Sequence, residues 1–554
     1  MSRWTRRGVL AAASALPLAG CMRSAEAPAY NGGWVGANAE RGHRLRDVAP
    51  GAGPAPQAQR RAGALVVGAG ISGLAAARAL MLAGIDDVQV FDLEDAAGGN
   101  SRGHALGGMA CPLGAHYLPV PTASAVEVID LLESLGLRRT ERGVATYDER
   151  TLCHSPQERL FIAGHWHDGL LPPVDALPAA ERAATLAQYR AFADLVERHS
   201  AGGAFVMPTA RSRWSAALDA LDALPFAAWL DARNINAPAL RWYLDYCCRD
   251  DYGAGAAQVS AWAGLHYFAS RHGFHVPGDS EARAQAERDG VLTWPEGNAW
   301  LARRLAEPLR ERLHTGAVAL RVVEGRFDAS VDVWSASTQQ TVRWTAQQVV
   351  LAVPLFIAAR LLSAPPDALR HATAAMRHAP WLVGNLLLRE ALDDHPGAPP
   401  SWDNVMYDAG SATSSTGAAR PSLGYVDAMH QSTRSVPGPT VITAYWALGG
   451  NTPEQLQAQR ARLLREPWSG WAGAVVADVA RMHPDLPSKL AHVDLMRYGH
   501  AMSIPVPGLR SSAALRALAA PQRRVHFAHT DVSGYSVFEE ALYQGTRAAA
   551  QARG

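Results

Sequence analysis

An α/β fold with a Rossmann-like nucleotide-binding domain follows from two observations on this chain. The first is local. Ala64-Leu65-Val66-Val67 is a short apolar β-run, and Gly68-Ala69-Gly70-Ile71-Ser72-Gly73 follows at once. Leu74 to Ala83 then reads as a helix stopped by Gly84. A second run, Val88-Gln89-Val90-Phe91, ends at Asp92. Strand, tight turn, helix, strand and acid are the setting a Gly-x-Gly-x-x-Gly needs to signal a dinucleotide. The second observation is global: 554 residues, 48% hydrophobic and 19% charged, allow two domains with sizeable cores.

The chemistry of the turn is specific. Gly68, Gly70 and Gly73 let the backbone approach a pyrophosphate, whose charge sits at the helix N-terminus beside Ser72. Asp92 can accept hydrogen bonds from a ribose diol and would repel a 2′-phosphate, which argues against NADP. A formal net charge of +1 leaves no basic footprint for nucleic acid. Cys111, Cys153, Cys247 and Cys248 form no Cys-x-x-Cys, so no metal knuckle is signalled; a disulfide between distant cysteines stays open.

The N-terminus reads as an address. Arg3, Arg6 and Arg7 precede the uncharged apolar stretch Gly8 to Gly20, which is too short to span a bilayer. Thr5-Arg6-Arg7-Gly8-Val9-Leu10 resembles a twin-arginine export signal, and Leu18-Ala19-Gly20-Cys21 resembles a lipobox whose cysteine is lipidated. Residues 1–21 are therefore expected to be an export signal. The Ala-, Gly- and Pro-rich residues 22–61 are expected to be a tether from the lipid on Cys21 to a body on the periplasmic face of a bacterial membrane. Resemblance to such substrates implies a protein that folds, and loads any cofactor, before export.

Further stretches extend the nucleotide motif. Gly98-Gly99-Asn100-Ser101-Arg102 follows Asp92, and Gly107-Gly108-Met109 leads to Leu113-Gly114-Ala115-His116-Tyr117. Trp294-Pro295-Glu296-Gly297-Asn298, Val318, and Val349 to Pro354 come later. The chain ends with Val525-His526-Phe527-Ala528-His529-Thr530-Asp531, then Ser533-Gly534-Tyr535 and Phe538. With these segments the sequence resembles the flavoprotein amine oxidase and phytoene desaturase superfamily, from about residue 62 to 554.

That resemblance implies FAD as cofactor and a discontinuous fold. An FAD-binding domain of residues 62–122, 286–355 and 506–554 would interleave with an α+β substrate domain of residues 123–285 and 356–505. It implies that Gly98, Gly99, Asn100 and Arg102 approach the phosphates, Asn100 standing where the family carries arginine. Val318 would meet the adenine and Asp531 the ribityl chain, with Tyr535 and Phe538 beside the flavin. His529 replaces a family glycine. One Gly-x-Gly-x-x-Gly means no second nucleotide domain, so electrons would leave to oxygen, a quinone or a redox protein.

The resemblance also implies hydride transfer from a small substrate to flavin N5. An amine, polyamine-like, is the first expectation, with Tyr535 as a wall of the site. Tyr498-Gly499-His500-Ala501-Met502 resembles the monoamine oxidase segment that carries the flavin-linked cysteine and a cage tyrosine. Neither residue is present. Trp446 or His116 would then complete the aromatic cage, and His500 could accept a proton near neutral pH. Asp250 or Asp251 could attract a cationic amine, although a packed helical cap with an aromatic core also accounts for that block. The stretch His378 to Leu388 lacks the lysine that many amine oxidases place near N5. A desaturase or oxidase of an apolar molecule therefore stands as the alternative, and a non-catalytic flavin-binding envelope protein as a third.

Overall fold

The computed structural model describes residues 30–153, 157–277, 290–408, 421–432, 434 and 436–553. The expected export signal and Cys21 lie outside them.

Five parallel strands form the nucleotide sheet in the order Leu313–His314, Val88–Phe91, Ala64–Val67, Gln348–Leu351, Val525–Phe527. They come from three distant stretches of chain. The central strand Ala64–Val67 is apolar and buried throughout because helices cover both faces, as a parallel sheet requires. Helix Ile71–Leu82 packs against the C-terminal helix Phe538–Ala552 on one side. A second sheet, ordered Ala317–Glu324, Ala329–Ser335, Thr341–Ala346, Ala58–Arg61, lies beside it.

The substrate domain is built on an eight-stranded sheet. Its order is Asn31–Trp34, Leu490–Ile504, Arg377–Leu388, Thr440–Ala447, Ser422–Asp427, Asp403–Met406, Glu158–Ile162, His165–Asp168. Helices Arg182–Ser200, Pro238–Tyr252 and Ala261–Tyr267 share one core with its inner face. Helix Trp468–Val479 covers the outer face. The period of two along a strand divides residues between these cores: Tyr445 packs inward, Trp446 outward. The fold is thus α/β, a Rossmann-like domain interleaved with an α+β domain.

Residues 30–61, the described part of the expected tether, do not form a simple tether. From Tyr30 onward they are part of the fold. Asn31–Trp34 pairs in parallel with His492–Leu495. Asn38 caps helix Ala39–Asp47 by accepting from the Arg41 N–H at 2.8 Å. Arg360 donates to the carbonyls of Leu45, Arg46 and Val48 at 2.6–2.8 Å. Ala58–Arg61 adds a parallel strand against Val342–Thr345. Composition reports local propensity, and here long-range pairing overrides it. Cys111, Cys153, Cys247 and Cys248 are buried free thiols. Among the described residues no helix is long and apolar enough to cross a membrane.

Candidate functional site

One long cleft of about 1380 Å³ runs from the glycine turn to the inner face of the large sheet. It exceeds the roughly 300–1,000 Å³ of an ordinary small-ligand pocket, as a dinucleotide with a substrate beyond it demands.

The turn after Val67 is built by close backbone approach. A Cβ on Gly73 would stand 1.8 Å from the Gly68 carbonyl oxygen, so no other residue fits there. Gly70 is different. A Cβ there would meet only the Gly99 Cα, at 3.8 Å, and Gly70 itself lines the cleft. Its bareness is needed by something in the cleft rather than by the fold. The second glycine pair closes onto the first: Gly98 N–H donates to Ala69 C=O at 2.8 Å. The Asp92 carboxylate accepts from the N–H groups of Ala69 at 2.7 Å and Glu94 at 2.9 Å. Burial raises its pKa against the pull of those two donors.

Gly68, Gly70, Ser72, Asp92, Gly98, Gly99, Asn100, Arg102, Val318 and Phe538 all line the cleft. Arg102 is committed to protein partners. It donates to Gly99 C=O at 2.9 Å and Gly36 C=O at 2.7 Å, and pairs with Glu94 at 3.5 Å. Asn100 donates to Ala501 C=O at 2.6 Å. At the far end, Val537 and Phe538 begin the C-terminal helix, whose unpaired N–H groups and positive dipole end open on the cleft.

Asp531 lies one layer behind this wall rather than in it. Its carboxylate accepts from Leu355 N–H at 2.8 Å, faces His378 Nε2 at 3.1 Å and lies 3.2 Å from His529 Nδ1. Burial opposes its charge, but the two imidazoles outweigh burial and hold its pKa well below the usual carboxylate range. His529 and Thr530 line the cleft in its place.

The substrate end corrects the expected cage. Tyr535 is 1% exposed and packs against Tyr252, Trp262 and His266, its hydroxyl toward Met207 Sδ at 3.2 Å. It lies inside the helical core and not on the cleft. Trp446 faces the outer core beside Trp471, a consequence of strand alternation. The neighbour that does face the cleft is Tyr445. It stacks on His116 with ring centroids 4.3 Å apart and donates to Gly114 C=O at 3.0 Å. Tyr117, Trp381 and Val383 complete the wall. Trp381 and Val383 come from the strand in which no lysine was found. His116 is crowded enough to lower its pKa to about 3, so it is neutral.

His500 opens on the cleft beside Phe356, at 4.8 Å, and His378, at 6.0 Å. Surrounding atoms and then the neighbouring His378 and Arg460 lower its pKa to about 3. It is not an acceptor poised near neutrality.

Asp250 and Asp251 have different roles. Asp251, Arg271 and Glu539 form a buried ion triad, with Arg271 within 3.3 Å of both acids. It ties the helix Pro238–Tyr252 to the start of the C-terminal helix. Among the described residues Asp250 has no ion-pair partner, and its carboxylate lies 3.5 Å from the Tyr117 hydroxyl. Arg249 pairs with Asp245 instead, at 2.9 Å.

Two further acids, unread in the sequence, lie near Asp250. Glu158 and Asp403 are paired on neighbouring parallel strands. Burial raises the pKa of Asp250 and of Glu158 to about 7 each and that of Asp403 well above its usual value; each acid is also raised by another carboxylate. Nothing local in the sequence joins positions 158, 250 and 403.

The model of the flavin containing amine oxidoreductase family matches residues 71–553. Coproporphyrinogen III oxidase of Mycobacterium leprae is 31% identical over 307 residues, which span 54% of this chain and 60% of that enzyme. A triple mutant of putrescine oxidase superposes with a TM-score of 0.62 at 18% identity, covering 90% of this chain and 100% of that one. Cyclohexylamine oxidase from Brevibacterium oxydans gives 0.60 at 18% identity, covering 89% and 99%. At such identities the structures speak for the fold alone; the family match covers most of the chain. The glycine cradle, the acid at the strand end and the helix N-terminus fit FAD, and this chain belongs to the flavin-containing amine oxidoreductase family.

Proposed function

We propose that this FAD-dependent oxidoreductase oxidises an amine of polyamine type. The observation that carries the reading is the set Asp250, Asp403 and Glu158. Among the described residues none of the three has an ion-pair partner; burial raises all three pKa values, and a nearby carboxylate adds to each, Asp168 for Glu158, Asp251 and Glu158 for Asp250, Asp250 and Glu158 for Asp403. Buried acids of this kind attract a cation and repel an anion. A neutral amine reaching Asp250, the one of the three that lines the cleft, takes up a proton from its carboxyl and stays as an ammonium–carboxylate pair, with Glu158 and Asp403 adding negative potential behind it. In a polyamine a second nitrogen then lies toward the flavin end of the cleft, and it must be neutral for its neighbouring carbon to be oxidised.

The protein supplies orientation and a dry wall. Tyr445, His116, Tyr117 and Trp381 pack flat surfaces around the reacting carbon and exclude water. Neutral His116 adds no positive charge that would repel the substrate. When bound, the flavin takes up the two electrons and the hydrogen that leave the substrate carbon. Anaerobic mixing with putrescine-like diamines, monoamines and amino acids tests this. Loss of the flavin band near ~450 nm with diamines is expected; no bleaching by any amine would sink the reading.

The similarity to coproporphyrinogen III oxidase favours a second reading, oxidation of an apolar or tetrapyrrole-like molecule against uncharged, protonated carboxyls. Bleaching by a porphyrinogen and not by amines would select it.

The proposed location is the periplasmic face, reached through Arg6 and Arg7 and held by lipid on Cys21. Oxygen, a quinone or a redox protein would receive the electrons. Replacing Arg6 and Arg7 by lysine should strand yellow, folded protein in the cytoplasm; undiminished delivery would refute this location.

A further inference from the structure

On the outer face of the large sheet, away from the cleft, three side chains converge. His395 comes from the loop after strand Arg377–Leu388, and His483 and Asp485 from the corner after helix Trp468–Val479. One ligand atom from each lies within 4.8 Å of the others. His395 Nε2, His483 Nδ1 and Asp485 Oδ1 are all buried and have no hydrogen-bond partner. His483 is 2% exposed. Three orphaned polar atoms in one place are costly unless something joins them.

We propose that His395, His483 and Asp485 bind a structural zinc ion. Two imidazole nitrogens and one carboxylate oxygen are a donor set that zinc accepts, with bonds of about 2.0–2.2 Å and a water to complete the tetrahedron. Tetrahedral angles at that length put ligand atoms about 3.4 Å apart, so the trio draws in by little more than an ångström at its widest pair.

The surroundings orient the ligands. Tyr425 Oη lies 2.7 Å from His483 Nε2. A proton on Nε2 donated to that oxygen leaves the Nδ1 lone pair facing His395 and Asp485. Asp485 Oδ2 accepts from Asp393 N–H at 2.7 Å and from Lys489 Nζ at 2.9 Å, which turns Oδ1 inward. Lys489 is the chain's single lysine. Its charge and that of Arg159 are met by Asp393, Asp394 and Asp485, so the site is not left cationic. Both histidines precede proline, Pro396 and Pro484, which narrows their backbone freedom. The ion would pin the loop that leads into strand Asp403–Met406 to the corner of the outer helix.

The test uses the FAD-loaded protein, purified without a metal-affinity tag and stripped with a zinc chelator. Dialysis against ~10 µM free zinc should restore about one zinc per chain by elemental analysis. It should also raise the unfolding midpoint by several degrees. His395→Gln and Asp485→Asn should each cut zinc content about tenfold with the FAD content unchanged. The proposal is overturned if wild-type protein takes up no more zinc than these variants. It is also overturned if magnesium or calcium binds in zinc's place, or if zinc leaves the wild-type midpoint unmoved. That last measurement needs no variant and holds even if one fails to fold.

Discussion

Glu158 and Asp403 stand opposite each other on neighbouring parallel strands, two carboxylates paired where like charges repel. Both side chains are half-buried, and among the described residues neither has an ion-pair partner. A sheet tolerates this only while the acids are protonated or while a cation from outside joins them.

Asp403→Asn should therefore weaken diamines selectively. A charge-assisted hydrogen bond is worth about 1.5–3 kcal/mol, so the apparent dissociation constant of a diamine should rise about 10- to 100-fold. A monoamine of equal length should change little. Rapid-mixing measurements of flavin reduction against substrate concentration read both. Equal losses for the two would remove Asp403 from substrate binding.

The same burial makes stability depend on pH. The pKa of Asp250 is raised from 3.8 to about 7. A raised folded-state pKa favours folding while the group is protonated. The contribution is full below about pH 4 and fades as pH climbs through about 7. The melting temperature should fall between pH 5 and pH 8, and Asp250→Asn should flatten that slope. A saturating diamine should flatten it as well.

Two glycine variants separate binding from folding. Gly70→Val should give folded, colourless protein, because a side chain there points into the cleft with nothing in the chain to strike. Gly73→Ala should fail to accumulate, because its Cβ would collide with the Gly68 carbonyl. Absorbance at ~450 nm and circular dichroism distinguish the outcomes. A yellow Gly70→Val protein would contradict the cofactor assignment.

Arg271→Met removes the cation shared by Asp251 and Glu539. Leaving buried acids unpaired should cost about 3–5 kcal/mol, measured by denaturant unfolding. The triple change Arg271→Met, Asp251→Asn, Glu539→Gln should recover much of that loss, because no net charge then stays buried.

His500, whose pKa is lowered to about 3, is neutral from pH 5 to pH 8. His500→Ala should leave the shape of the pH profile of flavin reduction unchanged across that range, whatever its effect on the absolute rate. Loss of an inflection near pH 6–7 would return His500 to the role of proton acceptor.

What the sequence alone determined is what short spacing encodes. The nucleotide turn, Asp92 and the second glycine pair lie within about forty residues, and their chemistry is backbone approach and one acid at a strand end. Such features are local: Gly68, Gly70, Ser72, Asp92, Gly98 and Gly99 line the cleft as expected, whereas Gly73 lies off it, against the Gly68 carbonyl. The tertiary structure decided the rest. Tyr445 rather than Trp446 faces the cleft because the register of a long antiparallel strand sets which of two neighbours points inward. Tyr535 is drawn into the helical core by three aromatic partners from another segment. Residues 31–61 fold because strands some 280 and 460 positions later offer edges to pair with. Asp531 spends its charge on His378 and His529, and Glu158 meets Asp403 only across the sheet. Burial, register and the pairing of distant charges depend on which surfaces meet, and no local pattern of residue types carries that information.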